Sequence, residues 1–151
     1  MDFKLKVQED FVKAMKERNE VAKSALSSLK AQMLLADKTL GSKVMDESTF
    51  WAIVTKMIAQ REESAKIFSD AGRVELSRNE LSQAEVLGRY LPKQMTKEEV
   101  QNELTSILDE MKPLGLPMPA LKGKTLGQFN RNFRGRCHLE VASNVLNELL
   151  S

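Results

Sequence analysis

Apolar residues recur along most of this chain at three- and four-residue intervals, the spacing that lines one face of an α-helix. Phe3, Val7, Phe11, Ala14 and Met15 form such a stripe and predict a helix over about 3–17, with Asp2 placed to cap it. Val21, Ala25, Leu29, Met33 and Ala36 predict a second over about 19–37. "LGSKVMDES" reads as a loop that ends on Asp46, a cap for a third helix carrying Phe50, Ile53, Val54, Met57 and Ile58. That helix continues through "QREESAKIF" and stops at Gly72, a natural C-terminal glycine. Leu76, Leu81, Ala84, Leu87 and Leu91 predict a fourth helix over about 73–90. Pro92 ends it, because proline disfavours helix in the residue before it.

Pro92 is also the best domain boundary. Just beyond it, Thr96 and Glu99 have the T-x-x-E spacing of a capping box. Val100, Leu104, Ile107, Leu108 and Met111 then follow at helical spacing, and "KPLGLPMPALKG" reads as rigid, proline-rich and non-helical. A sixth helix is expected over about 124–133. A seventh, with Val141, Ala142, Val145, Leu146 and Leu149, is expected over about 138–150. There is no hairpin signature and no short repeat. The pattern predicts an all-α chain: a four-helix N-terminal domain over 1–92 and a small three-helix C-terminal domain over 93–151.

Composition narrows the class. The 151 residues are 42% apolar and 29% charged, ordinary for a protein with a packed core. One cysteine cannot close an internal disulfide, which suits a reducing compartment. No apolar run reaches membrane-spanning length, and the acids Asp2, Glu9 and Asp10 at the start do not fit a signal or transit peptide. The expected location is the cytoplasm. The net charge of +2 conceals an uneven distribution. Residues 1–92 carry fifteen Lys/Arg against fourteen Asp/Glu, and residues 93–111 carry two against five. Residues 112–138 hold Lys112, Lys122, Lys124, Arg131, Arg134 and Arg136 with no acid.

That cationic stretch includes "FNRNFRGRCH", which contains the only cysteine and the only histidine. A catalytic thiol would need Cys137 to act with a base, but His138 is its neighbour, and adjacent helical residues do not face each other. A buried or half-buried thiol is the simpler reading. One Cys-His pair falls short of a structural zinc site, so no metal is expected and His138 reads as a helix-start residue. Gly123-Lys124-Thr125 resembles the end of a phosphate loop. That motif requires glycine five positions earlier, and Met118 stands there. No paired-carboxylate or nucleophile-elbow signature is present, and no cofactor is implied.

Anion binding fits best. Over 124–133, Leu126, Phe129 and Phe133 share one helical face, and Lys124, Gln128 and Arg131 share another. "RGR" brings Arg134 and Arg136 to the start of the last helix, where free N–H groups attract phosphate. The candidate nucleic-acid-binding residues are Lys122, Lys124, Arg131, Arg134 and Arg136. Trp51 and Tyr90 could stack on bases, although their helical core spacing favours packing.

A family resemblance joins these features. Gln60-Arg61, Ala71-Gly72-Arg73, Glu75-Leu76, Glu80, Glu85, Tyr90-Leu91-Pro92, Gln94 and Glu98-Glu99 resemble the signature of the YqeY (GatB/YqeY domain) family. The tail "GKTLGQFNRNFRGR…VASNVLNELL" resembles the same family and is similar to the tail domain of the B subunit of the tRNA-dependent amidotransferase. Cys137, His138 and Leu139 stand where the family shows Ala-Asp-Gly, and Ser27 replaces a common arginine. The resemblance implies two helical domains and a tRNA-associated module that is not catalytic alone. The expected partner is tRNA or another structured RNA. The alternatives are an accessory role beside amidotransferase subunits, which form a carbon–nitrogen ligase with glutamine as amido donor, and a protein–protein adaptor. The amidotransferase kinase and glutaminase centres lie in parts of that complex this chain does not contain.

Overall fold

The computed structural model describes residues 2–41 and 44–151. Ser42 and Lys43, within the expected loop, lie outside the described residues, as does Met1. The described residues form seven α-helices and one 3-10 turn, with no strand: α1 (Phe3–Lys16), α2 (Glu20–Leu40), α3 (Glu47–Asp70), α4 (Val74–Gly88), α5 (Lys97–Met111), the 3-10 turn Lys112–Leu114, α6 (Met118–Asn132) and α7 (Leu139–Leu150). The fold is all-α, as expected. The chain divides into two compact units, Met1–Leu91 with α1–α4 and Pro92–Ser151 with α5–α7.

Local chemistry explains most boundaries. Asp2, Asn19 and Asp46 each accept a backbone N–H of the first turn that follows, at 3.1, 3.1 and 2.8 Å. Thr96 and Glu99 form the complete capping box at the start of α5, with both bonds at 3.2 Å. After α3, Gly72 turns the chain at φ +76°, a left-handed conformation that glycine adopts without a Cβ clash.

In the first unit, Leu26, Leu29 and Met33 of α2 meet Phe50, Val54 and Met57 of α3, with Val7 and Leu87 closing the core. The expected α4 stripe needs correction. Leu76 and Leu81 are 43% and 49% exposed, while Ser77 and Gln83 are buried. Polar contacts occupy the seam there: Ser77 Oγ donates to the Ala65 carbonyl at 2.8 Å, and Arg61 Nε donates to Gln83 Oε1 at 3.2 Å. Met15, Val141 and Leu149 are likewise exposed. In the second unit, Val100, Leu104 and Leu108 of α5 pack with Leu121 and Phe129 of α6 and Ala142, Val145 and Leu146 of α7.

The segment 112–123 departs most from expectation. Expected to be non-helical, it holds the 3-10 turn and the first six residues of α6, with only 115–117 between them outside a helix. Pro119 sits in the first turn of α6, where its missing N–H has no helical acceptor to lose.

Candidate nucleic-acid interface

Three buried side chains set the rotation of α6. Leu121, Thr125 and Phe129 recur every four residues and face the second core. At about 100° per residue, Lys124, Gln128 and Arg131 therefore run along one flank, and Lys122 lies on the opposite flank. Within the first flank, an NH2 of Arg131 donates to Gln128 Oε1 at 2.9 Å, and Gln128 Nε2 donates to Asn132 Oδ1 at 2.9 Å. A neutral amide thus steadies the guanidinium and leaves its charge uncancelled.

Beside this flank is a groove of about 530 Å³, lined by Met111, Leu114, Gly123, Lys124, Gly127 and Arg131. No acid lines it. The structure brings Lys124 and Arg131 together there and places the other candidates elsewhere. Arg136 turns toward the start of its own unit. Its Nε donates to the Lys93 carbonyl at 3.2 Å, and its NH2 lies 3.9 Å from a Glu99 carboxylate oxygen. The guanidinium also stands 5.9 Å from the centre of the Phe133 ring. The turn around it is tied down: Met95 N donates to the Arg136 carbonyl at 2.8 Å, and Gln94 Nε2 donates to the Gly135 carbonyl at 2.7 Å. These ties join residues some forty positions apart, so no local pattern announced them. Glu99 is held below the usual carboxylate range, first by its hydrogen bond with the Thr96 backbone, then by the Thr96 side chain and by nearby Arg136. Arg134 is exposed.

Cys137 is half-buried, and burial pushes its thiol up, against forming the thiolate. Its Sγ donates to the His138 carbonyl at 3.3 Å. His138 is the N-cap residue of α7, without a side-chain capping bond. Gly123-Lys124-Thr125 lies inside α6, where its N–H groups serve the helix, and Thr125 is fully buried. Among the described residues, no group of three or more His, Cys, Asp or Glu side chains is placed to hold a metal ion.

Neither aromatic stacking candidate is exposed. Trp51 packs against the first core. Tyr90 is buried beside Phe50, with ring centroids 6.1 Å apart, and its hydroxyl donates to Asp10 at 2.5 Å. Desolvation, reinforced by that bond to a carboxylate, raises Tyr90 well above the ordinary tyrosine value. The same region forms a second cleft, of about 290 Å³, lined in part by Lys6, Asp10, Lys13, Glu17, Arg89 and Tyr90.

These features define an all-α protein of two helical units whose second unit bears an acid-free cationic groove. The chain belongs to the family described as Yqey-like protein, whose family model matches residues 4–150. Comparison with curated proteins gave no match. Among the described residues, no helix is long and apolar enough to cross a membrane.

Proposed function

We propose that this protein is a non-catalytic RNA-binding module, with tRNA the leading partner, which grips phosphate through its second unit. The observation that carries this reading is the flank of α6, where Lys124 and Arg131 meet at one groove with no acid lining it. Phosphate contacts of this kind are sequence-independent and release counterions, so binding depends steeply on salt. The similarity of the tail to the amidotransferase B-subunit tail domain points to tRNA among RNAs.

A mobility-shift titration with unfractionated tRNA tests the reading. Binding at low salt should fall by about tenfold or more between roughly 50 and 200 mM salt, as expected for a few phosphate contacts. No shift at low salt would remove the proposal. Nuclease treatment during purification separates RNA from protein partners. An association with amidotransferase subunits that survives nuclease would replace RNA with protein as the primary partner.

A further inference from the structure

We infer that the α6 groove receives one unpaired nucleobase, so that the second unit prefers RNA with a single-stranded end over a fully paired stem. This rests on the RNA reading above. Phosphate binding alone needs only exposed cations. The groove adds a volume of about 530 Å³, within the range of small-molecule clefts, and an apolar wall of Met111 and Leu114, the latter 62% exposed. Its other side is bare backbone. A Cβ added at Gly123 would meet nothing within 4 Å, and one at Gly127 would meet only the Arg131 guanidinium, at 3.9 Å. Cations, an apolar wall and an open floor thus stand side by side.

A nucleotide matches that combination. Its base is flat with apolar faces, and its phosphate is anionic. A base lying against Met111 and Leu114 would leave its phosphate at the Lys124 and Arg131 side, and the Arg131 plane offers a further stacking surface. An unpaired base can enter such a slot. A base held in an A-form stem cannot, because the deep, narrow major groove and stacked neighbours hide its faces. An acidic peptide would satisfy the two cations but not fill the apolar side. The absence of acids among the lining residues removes repulsion against the RNA backbone.

The test compares two RNAs on the full chain: a hairpin with a four-nucleotide single-stranded 3′ tail and the same hairpin with a blunt end. The native protein should bind the tailed RNA about tenfold more tightly, the size of one base stack. Replacing the tail bases by abasic sites should erase the preference. Gly123→Leu fills the slot without changing charge and should bring the ratio between the two RNAs close to one. Leu114→Ser, on the opposite wall, should reduce the ratio independently and does not alter the helix that Gly123 occupies. Equal binding of the two RNAs by the native chain, or a preference that persists in both variants, overturns the base slot while leaving phosphate binding intact. Binding of neither RNA overturns the phosphate reading and the slot together.

Discussion

The cleft of the first unit and the groove of the second both contain lysine and arginine, yet their electrostatics differ. In the cleft, Lys6 lies 3.1 Å from Asp10, Lys13 lies 4.0 Å from Glu17, and Arg89 lies 3.9 Å from Glu85. Tyr90 adds its hydroxyl to the same Asp10. In the groove, Arg131 leans on the neutral Gln128, and no acid lines the space around Lys124. Exposed ion pairs contribute little to stability, but a carboxylate beside each cation cancels the local field. The cleft therefore reads as architecture and the groove as a surface left charged. Counting basic residues would not separate them; the identity of each neighbour does.

The largest effect that could break this contrast is on RNA binding. The double variant Lys124→Glu, Arg131→Glu should weaken tRNA binding by about a hundredfold at low salt, from two charge-assisted contacts of about 1.5 kcal/mol each. The slope of log affinity against log salt should shrink by about two. The matching double variant in the cleft, Lys13→Glu, Arg89→Glu, should change tRNA affinity much less. Comparable losses in both would show that binding follows net charge alone and that the groove is not special.

Next comes Tyr90→Phe, which removes the hydroxyl from Asp10. A hydrogen bond to a charged group contributes about 1.5–3 kcal/mol, so the first unit should lose an amount of that order. Fluorescence of Trp51, the only tryptophan and packed against that core, reports the loss in a denaturant titration. The pH dependence has a defined sign. Folded Tyr90 holds its proton more tightly than unfolded tyrosine. Its contribution is thus whole below the unfolded value of about 10 and is lost as pH rises beyond it. Native stability should fall in that alkaline range, and Tyr90→Phe should remove this component of the fall. An unchanged alkaline profile in the variant would mean that the hydroxyl does not couple folding to pH.

A third comparison sets two arginines side by side. Arg61 is 20% exposed and donates to Gln83, which is buried, with Glu80 3.8 Å away. Arg61→Ala would strand the Gln83 oxygen and should cost about 1–2 kcal/mol in denaturant unfolding followed at Trp51. Arg131→Ala, whose partner Gln128 is only half-buried, should stay within about 0.5 kcal/mol while weakening tRNA binding. The reverse pattern would exchange the structural and functional roles assigned to these two side chains.

The sequence exposed local determinants better than distant ones. Asp2, Asp46 and the Thr96–Glu99 box were legible because a cap acts within three residues of itself. The sequence pattern places the start of α6 six residues late, because Pro117 and Pro119 look like breakers. Proline disrupts a helix interior, where an N–H bond is lost and the ring meets the carbonyl one turn back; the first turn has neither problem. The α4 stripe failed for another reason: Ser77 and Gln83 face inward because Ala65 and Arg61 of α3 supply their partners. Those partners lie 12 and 22 residues away and leave no periodic trace. The candidate site divides in the same way. Lys124 and Arg131 are seven residues apart on one helix, and periodicity alone pairs them. The fixing of Arg136 against Lys93 and Glu99 depends on how 92–99 meets the turn before α7, a tertiary contact.

The smallest predicted effect bears on whether the groove is retained for a reason other than stability. Glycine within a helix costs about 0.5–1 kcal/mol relative to alanine, because the unfolded chain loses more freedom on folding. Gly123 is the sixth residue of α6, and a Cβ there would touch nothing within 4 Å. No packing requirement within the chain demands glycine at this position. Gly123→Ala should therefore stabilise the second unit by about 0.5–1 kcal/mol, read from the hydrogen-exchange protection of α5 and α6 amides. Gly115→Ala should do the opposite, since Gly115 holds φ at +66°, where a side chain is strained. If Gly123→Ala instead destabilised the unit, the glycine would serve the fold, and the open floor of the groove would be a by-product of packing. Stabilisation would mean that the fold tolerates a weaker helix at one of the two glycines that leave the groove floor open.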